Sequence, residues 1–394
     1  MTVSRRRFIT RAVSASIALS FGTAKAAGET WHQVPHATQG LARPRLVLVN
    51  LRGGLDGLTA LPPVGDPDYA ALREADAHAF SRSSHGALPL DDLFGLHPRL
   101  QTFAHAFTQG QLVIAHSVAP LDRGRSHFPA QAALECGSLS ALQSGWLARG
   151  LAARRQGGRA IAVGAGVPLV LREEDVSARS TLTAHWHPGG PLLDHEVLAA
   201  GGPAQTPWGG APGAGYRADQ SAVGFVEAAR IAADALAAAE GADVATLDLT
   251  GFDTHADQGG VDGRLSERFS VLDRGIAELR ATLGPDIWAR TLVLVVSEFG
   301  RSARLNVDGG TDHGMAGPVF LVGGALNGSR ILGRWPGLRE ADLFEGRDVA
   351  PSLDFRSLAM SVLRDHLGVS APALEERVFS DSVGVRPIPD LIGA

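Results

Sequence analysis

Two segments rich in leucine and valine, at residues 45–51 and 291–296, most constrain the fold of this 394-residue chain. Neither alternates polar with apolar side chains, so each is expected to be a strand buried on both faces. Helical patterns separate such strands, among them an alanine-rich segment at 221–239 and an amphipathic one at 264–283. This alternation predicts an α/β fold with a mostly parallel central sheet and helices on both faces.

The first 27 residues are expected to be an export signal rather than part of the fold. Paired arginines at 5–7 precede a short apolar stretch at 12–21, and Ala24-Lys25-Ala26 offers small residues for cleavage. This order is typical of a twin-arginine signal, and the apolar stretch is too short for a permanent membrane anchor. We therefore expect the twin-arginine export machinery as a partner and a periplasmic or extracellular location in a bacterium.

Charge and composition exclude several classes of function. Removing residues 1–26 takes away five of the 36 basic residues and none of the 41 acidic ones, which leaves a net charge of 31 − 41 = −10. An acidic chain with 6% aromatic residues does not suit nucleic-acid binding. Lys25 is the only lysine, so the mature chain has no lysine for Schiff-base chemistry. Cys136 is the only cysteine, which excludes an intrachain disulfide.

The chain is expected to form one α/β domain over residues 45–390. A segment rich in Gly and Pro near 185–217 is expected to be an exposed insert. Gly164-Ala165-Gly166 lacks the third glycine and the following helix of a dinucleotide-binding fingerprint, so we do not predict such a cofactor.

Acids or histidines follow four of the predicted strands, at Asp56, at Asp253 with His255, at Glu298, and in the Asp312–His313 loop. Each on its own could be a turn residue that hydrogen-bonds its neighbouring backbone. In a parallel sheet, however, the carboxyl ends of the strands meet at one edge. Carboxylate and imidazole ligands suit Zn or Mn, with Mg or Ca possible at an oxygen-rich position. The sequence therefore predicts a divalent-metal site there.

Ser126 precedes a predicted helix that starts near Pro129, and two arginines lie close to it. Free N–H groups at a helix start favour an anion, and Arg123 and Arg125 add planar donors for a phosphate or sulfate group. Arg301, after the Glu298 strand, is a third candidate anion-binding residue. The plainer interpretation of Ser126 is a helix N-cap. The sequence around it lacks the second glycine of the G-x-S-x-G motif, so an ester hydrolase of that class is not predicted.

Five motifs in this order, behind a twin-arginine signal, resemble the domain-of-unknown-function 1501 family of exported proteins: LRGGLDGL, RSHF, GFDTH, SEFGR and GGTDHG. The resemblance extends from Arg45 to about Leu367. That family is related to the alkaline phosphatase and sulfatase superfamily, so the resemblance implies an alkaline-phosphatase-like fold.

The resemblance also implies roles for the residues at the strand ends. Ser126 matches the superfamily's nucleophile and Asp56 matches a ligand of one metal, near Glu298. A second metal would be held by Asp253, His255 and His313. Phe299 stands where the superfamily has a ligating histidine and cannot coordinate, which leaves open whether Asp312 or His127 substitutes or only one metal binds.

Two functions follow from these expectations. The first is an exported metal-dependent hydrolase of phosphate or sulfate esters, with Ser126 as nucleophile, Arg125 holding the anion and a small anionic ester or glycan as substrate. The second is a non-catalytic periplasmic protein that retains the fold and binds a metal or an anion.

Overall fold

The computed structural model describes residues 43–82, 86–140, 143–164, 166–172 and 222–393. The predicted export signal and the Gly/Pro-rich insert near 185–217 lie outside these ranges. Within the ranges, no helix combines the length and the apolar character needed to cross a membrane.

The centre of the fold is strand β1, which is buried along its whole length. It pairs in parallel with β7 on one side and with β6 on the other, and Val49 lies opposite Val295 and Leu247. β5 extends the sheet in parallel beyond β6. The strands of this half are β1 Arg45–Leu51, β5 Ala160–Val163, β6 Val244–Leu249 and β7 Thr291–Ser297. Burial on both faces is what their apolar sequences predicted.

The other half of the sheet contains one reversed strand. β8 is antiparallel to both β7 and β4, whereas β9 and β10 pair with β4 in parallel. The strand order is β10-β4-β8-β7-β1-β6-β5, with β9 also beside β4. The additional strands are β4 Leu112–Ala119, β8 Gly317–Val322, β9 Arg330–Leu332, β10 Leu353–Asp354 and the hairpin β2 Leu88–Pro89 with β3 Gly95–Leu96. The predicted class, a mostly parallel sheet in an α/β fold, is confirmed.

Helices cover both faces of the sheet. Helices α4, α7 and α8 pack on the face that carries Val47 and Val49, and α6 and α9 pack on the face that carries Leu46 and Leu48. The helices are α1 Gly57–Ala60, α2 Tyr69–Leu72, α3 Glu74–Arg82, α4 Gln101–Thr108, α5 His127–Cys136, α6 Trp146–Ala153, α7 Ala222–Ala237, α8 Arg264–Trp288, α9 Phe355–Ser361 and α10 Ala371–Ala373.

Two local features depart from simple sequence patterns. The apolar residues 169–171 form a 3₁₀ turn, and the Val170 N–H donates to the Glu135 carboxylate at 3.0 Å instead of to a neighbouring strand. The helix expected at 264–283 continues as α8 to Trp288, but it is kinked where Gly284 adopts φ 67° and Pro285 follows.

Candidate metal centre

The candidate site lies at the carboxyl edge of the sheet and is built from four separate segments. Asp253 and His255 follow β6, Glu298 follows β7 directly, and His127 opens helix α5 after β4. An antiparallel β-bridge between the backbones of His313 and Arg301 places His313 beside these residues. Parallel strands place these segments side by side, so residues distant in sequence meet at one point.

Three histidines direct their Nε2 atoms at the carboxylate of Asp253. His255 Nε2 and His313 Nε2 lie 3.0 and 3.1 Å from Asp253 Oδ1, and His127 Nε2 lies 3.3 Å from Oδ2. The Nε2 atoms of His255 and His313 are themselves 3.0 Å apart. Donor atoms of His127, Asp253 and His313 all lie within 4.8 Å of one another. Their spacing suits a single metal ion bound by imidazole nitrogen and carboxylate oxygen.

His127 is held from behind by Glu298. The His127 Nδ1–H donates to Glu298 Oε1 at 2.9 Å, and the same oxygen accepts from Gly53 N and Gln131 Nε2 at 2.9 Å each. Glu298 is buried, with only 2% of its surface exposed. A carboxylate on the far nitrogen of a histidine fixes its tautomer and raises its basicity as a ligand. Glu298 therefore contacts the ligand set through His127.

The other two rings have partners on their far nitrogens as well. His313 Nδ1–H donates to the Arg125 carbonyl at 2.8 Å, so in the neutral ring Nε2 carries the lone pair. That lone pair faces Asp253 Oδ1, which can only accept, and a cation between the two atoms would satisfy both. His255 Nδ1 lies 3.6 Å from Asp312 Oδ1. These contacts fit a divalent ion at the site.

The electrostatics of the cluster keep its carboxylates ionised. Burial would raise the pKa of Asp253, but the neighbouring His127, His313 and Arg301 side chains lower it far below its usual value. Glu298 shows the same balance, with burial opposed by hydrogen bonds from His127 and Gln131, and its pKa is also lowered. Hydrogen bonds to Asp253 and Glu298 raise the pKa of His127 to about 9. Two carboxylates thus stay ionised around the point where the rings meet.

Phe299 forms the floor of the site. It is buried, and its ring centroid lies 5.0 Å from that of His127 and 4.9 Å from that of His313. The glycine pair of the LRGGLDGL motif makes room for this packing. A Cβ on Gly54 would lie 2.5 Å from the Phe299 ring, and one on Gly53 would lie 2.3 Å from Asp253 N. The residue that departs from the superfamily pattern therefore orients two of the rings.

Asp56, predicted to be a metal ligand, lies outside this cluster. Both of its oxygens accept from the Arg73 guanidinium, at 2.7 and 3.0 Å, and the pair is completely buried. Thr59 Oγ1 and Gln258 Nε2 donate to the same carboxylate at 2.8 and 2.6 Å, and the N–H of Leu58, the second residue of α1, donates to it as well. With five donors already present, Asp56 is not included in the ligand set we propose below.

The three arginines predicted to bind an anion differ in their surroundings. Arg301 is buried and donates to Asp253 Oδ1 and Thr311. Arg125 pairs with Asp348 and Glu345 at 2.8 and 2.6 Å. Arg123 is exposed, and no acidic side chain in the described part of the chain contacts it.

Ser126 occupies the N-cap position of the ten-residue helix α5 in an extended conformation, and its side chain makes no capping hydrogen bond. Its side chain is exposed, directly beside His127. Both interpretations of Ser126 from the sequence, N-cap and candidate nucleophile, agree with this position. His127 was considered from the sequence only as a substitute ligand, although its place in the RSHF motif put it next to the predicted nucleophile.

Comparison with solved structures gives several remote matches. Murine ectonucleotide pyrophosphatase/phosphodiesterase 5, in an inactive form bound to AMP, is 11% identical with a TM-score of 0.32. Phosphonoacetate hydrolase from Sinorhizobium meliloti 1021, bound to phosphonoformate, is 15% identical with a TM-score of 0.32. Each match covers 66% of this chain and 57% of the other, so the chain spans little more than half of their length.

A putative sulfatase from Bacteroides thetaiotaomicron VPI-5482 is 12% identical with a TM-score of 0.39, over 84% of this chain and 72% of that one. At these TM-scores the similarities carry no inference about activity. No curated protein matches the sequence.

The sequence also matches a family model, described as a protein of unknown function (DUF1501), over residues 205–378. The motifs GFDTH, SEFGR and GGTDHG lie inside the matched range, and LRGGLDGL and RSHF precede it. The family resemblance seen in the motifs is thereby confirmed over residues 205–378, the range that the DUF1501 model matches.

Proposed function

We propose that this chain is an exported metal-dependent hydrolase of small phosphate or sulfate esters. The observation that carries the proposal is the convergence of three imidazole Nε2 atoms on the carboxylate of Asp253. In this proposal His127, Asp253 and His313 hold one divalent ion, for which Zn or Mn is the chemically suitable choice. A bound ion would supply Lewis-acid polarisation of the ester oxygens.

The protein's own groups supply the rest of the proposed chemistry. Ser126 Oγ attacks phosphorus or sulfur, the bond to the leaving ester oxygen breaks, and water later releases the group from the serine. The N-terminal end of α5, beside Ser126, is the positive end of the helix dipole and favours the anion. His255 is about half exposed and lies next to Asp312, so it can donate a proton to the leaving oxygen.

Two observations favour the second candidate, a metal-binding protein without catalysis. His255 Nε2 lies 3.0 Å from Asp253 Oδ1 and 3.0 Å from His313 Nε2, which also suits a fourth protein ligand. Four protein ligands make a closed site, whereas catalytic zinc sites keep one position open. In addition, Arg125 and Arg301 are already engaged by acidic side chains. The number of protein ligands on the metal, three with an open position or four, thus distinguishes the hydrolase from the non-catalytic protein.

The test combines metal analysis with turnover of an aryl phosphate and an aryl sulfate. The hydrolase proposal expects one divalent ion per chain and measurable turnover. It also expects Ser126→Ala to abolish turnover while metal content and melting temperature stay unchanged. Full turnover by Ser126→Ala would remove the serine mechanism, and one tightly bound ion without turnover would favour the binding protein. Absence of bound metal in protein purified without chelators would refute both.

Export is the remaining part of the proposal, and it rests on the arginine pair at residues 5 and 6. Replacing both by lysine should keep the protein in the cytoplasm, because the twin-arginine machinery requires the pair. Cell fractionation measures this directly. Periplasmic recovery of the double-lysine variant at the wild-type level would contradict the proposed route.

A further inference from the structure

Gln258 is a buried residue that contacts both histidine-bearing loops of the site. One loop carries Asp253, Thr254 and His255, and the other carries Thr311, Asp312 and His313. The Gln258 side chain is completely buried, and its Oε1 accepts from Thr254 Oγ1 and from Thr311 Oγ1, at 2.7 Å each. A backbone hydrogen bond of 3.0 Å from Thr311 N to Thr254 O joins the same two loops. One amide oxygen thus links Thr254 of one loop to Thr311 of the other.

The orientation of the Gln258 amide is fixed by Asp56. Gln258 Nε2 donates to Asp56 Oδ2 at 2.6 Å. Burial would raise the pKa of Asp56, but Arg73 lowers it, so the carboxylate is ionised and can only accept. A flipped amide would place its oxygen against that carboxylate and its NH₂ against the two threonines. The amide therefore has one orientation, and both threonine hydroxyls must donate to it.

The donor and acceptor roles fixed at Gln258 extend through Thr311 and Arg301 to Asp253, the carboxylate of the proposed metal site. Because the Thr311 hydroxyl donates to Gln258, its lone pair is free to accept from Arg301 Nε at 3.1 Å. Arg301, whose side chain is fully buried, then directs its Nη1 to Asp253 Oδ1 at 2.9 Å. Asp253 Oδ1 is also the atom that His255 and His313 approach. Donor and acceptor roles are thus determined at every step from Asp56 to Asp253.

From this network we propose that Gln258 is a positioning residue for the metal site and that Asp56 sets its orientation. Gln258 determines the separation of the two histidine-bearing loops, and through Thr311 and Arg301 it fixes the direction of Asp253. This inference rests on the proposed metal site, and it gives the LRGGLDGL motif a role in the site without direct ligation. Outer partners of this kind contribute 10- to 100-fold to metal affinity, in order of magnitude.

The test uses Co²⁺ as the probe, added to the metal-free full-length protein. Affinity is measured by competition with a chelator, and the visible absorption of the bound ion reports its ligand geometry. Thr311→Val should weaken Co²⁺ binding about 10- to 100-fold and change the spectrum. Thr311→Ser keeps the hydroxyl and should restore both. Gln258→Leu should resemble Thr311→Val.

A matched control separates positioning from general loss of stability. The Thr291 hydroxyl is equally buried and donates to Ile287 O at 2.8 Å, away from the site. Thr291→Val should lower the melting temperature without changing Co²⁺ affinity or spectrum. If Thr311→Val does not fold, Thr254→Val removes a single contact to Gln258, and its affinity should also fall.

Wild-type Co²⁺ affinity and spectrum in folded Thr311→Val and Thr254→Val would overturn the positioning role alone. Absence of Co²⁺ binding by the wild-type protein would overturn the metal site and this role together.

Discussion

Replacing Arg73 by methionine should destabilise the fold far more than the same change at an exposed ion pair of equal length. Arg73 and Asp56 are 2.7 Å apart, with side-chain exposures of 0% and 1%. The guanidinium also donates to the carbonyls of Ser302 and Ala303, at 3.0 and 2.8 Å. Methionine fills much of the space but leaves an ionised carboxylate without its cation. Breaking a buried pair in this way costs about 3–5 kcal/mol.

Arg99→Met is the matched control. The Arg99–Asp262 pair is also 2.7 Å long, but its side chains are 52% and 80% exposed. Water solvates both charges there, so removing this ion pair should lower the free energy of unfolding by about 0–1 kcal/mol. The two variants make the same chemical change and differ mainly in burial, so the difference between them measures what desolvation adds.

Urea unfolding followed by circular dichroism gives both free energies from the midpoint and the slope. Asp56→Asn and the double variant with Arg73→Met complete the cycle. The double variant no longer buries an unpaired charge. Its decrease in the free energy of unfolding should therefore be clearly smaller than the sum of the decreases in the two single variants. A loss below about 1 kcal/mol for Arg73→Met, or one equal to that of Arg99→Met, would refute the assignment of this pair as an anchor of the fold.

Three further predictions concern the metal and pH. Glu298→Gln keeps the acceptor for His127 but removes the charge, so metal affinity in a competition assay should fall about 10- to 100-fold; unchanged affinity would exclude Glu298 as its support. Metal at 100 times its Kd should stabilise the protein by about 2.7 kcal/mol, and a chelator should reverse the shift in melting temperature; a melting temperature indifferent to both would contradict binding to the native state. Burial lowers the pKa of His97 and His366 from 6.5 to about 4, so the unfolded chain binds more protons between these values. Stability should therefore be full above pH 6.5 and fall towards pH 4, by up to about 3 kcal/mol per histidine, and urea midpoints that do not change over this range would contradict it.

The strands that the sequence predicts best are those buried on both faces. β1 and β7 carry polar residues only at or next to their ends, and this local signal gives their bounds to within one residue. The direction of β8 is not contained in its six residues. It follows from the connection, because a parallel return usually needs a helix and the segment between β7 and β8 contains none among the described elements. The missing helical pattern after Glu298 was the available signal.

At the site, sequence position alone could not separate a proposed ligand from an acid in a buried ion pair. Asp56 and Asp253 both follow a glycine-containing turn at the end of a strand. They differ because Arg73, on a later segment, folds back onto Asp56, while Asp253 stays open to three rings. A long-range contact of this kind leaves no local pattern. For the same reason, the role proposed for Gln258 could not be predicted from its neighbours in the sequence.

The hydrogen bond between His313 Nδ1 and the Arg125 carbonyl joins positions 188 apart in the chain. Neither half of the polypeptide contains all of the proposed ligands, so the complete proposed site can form only after the two halves have packed together. Occupancy would then mark the end of assembly, and a fluorescent metal competitor would report in real time how many molecules have completed it.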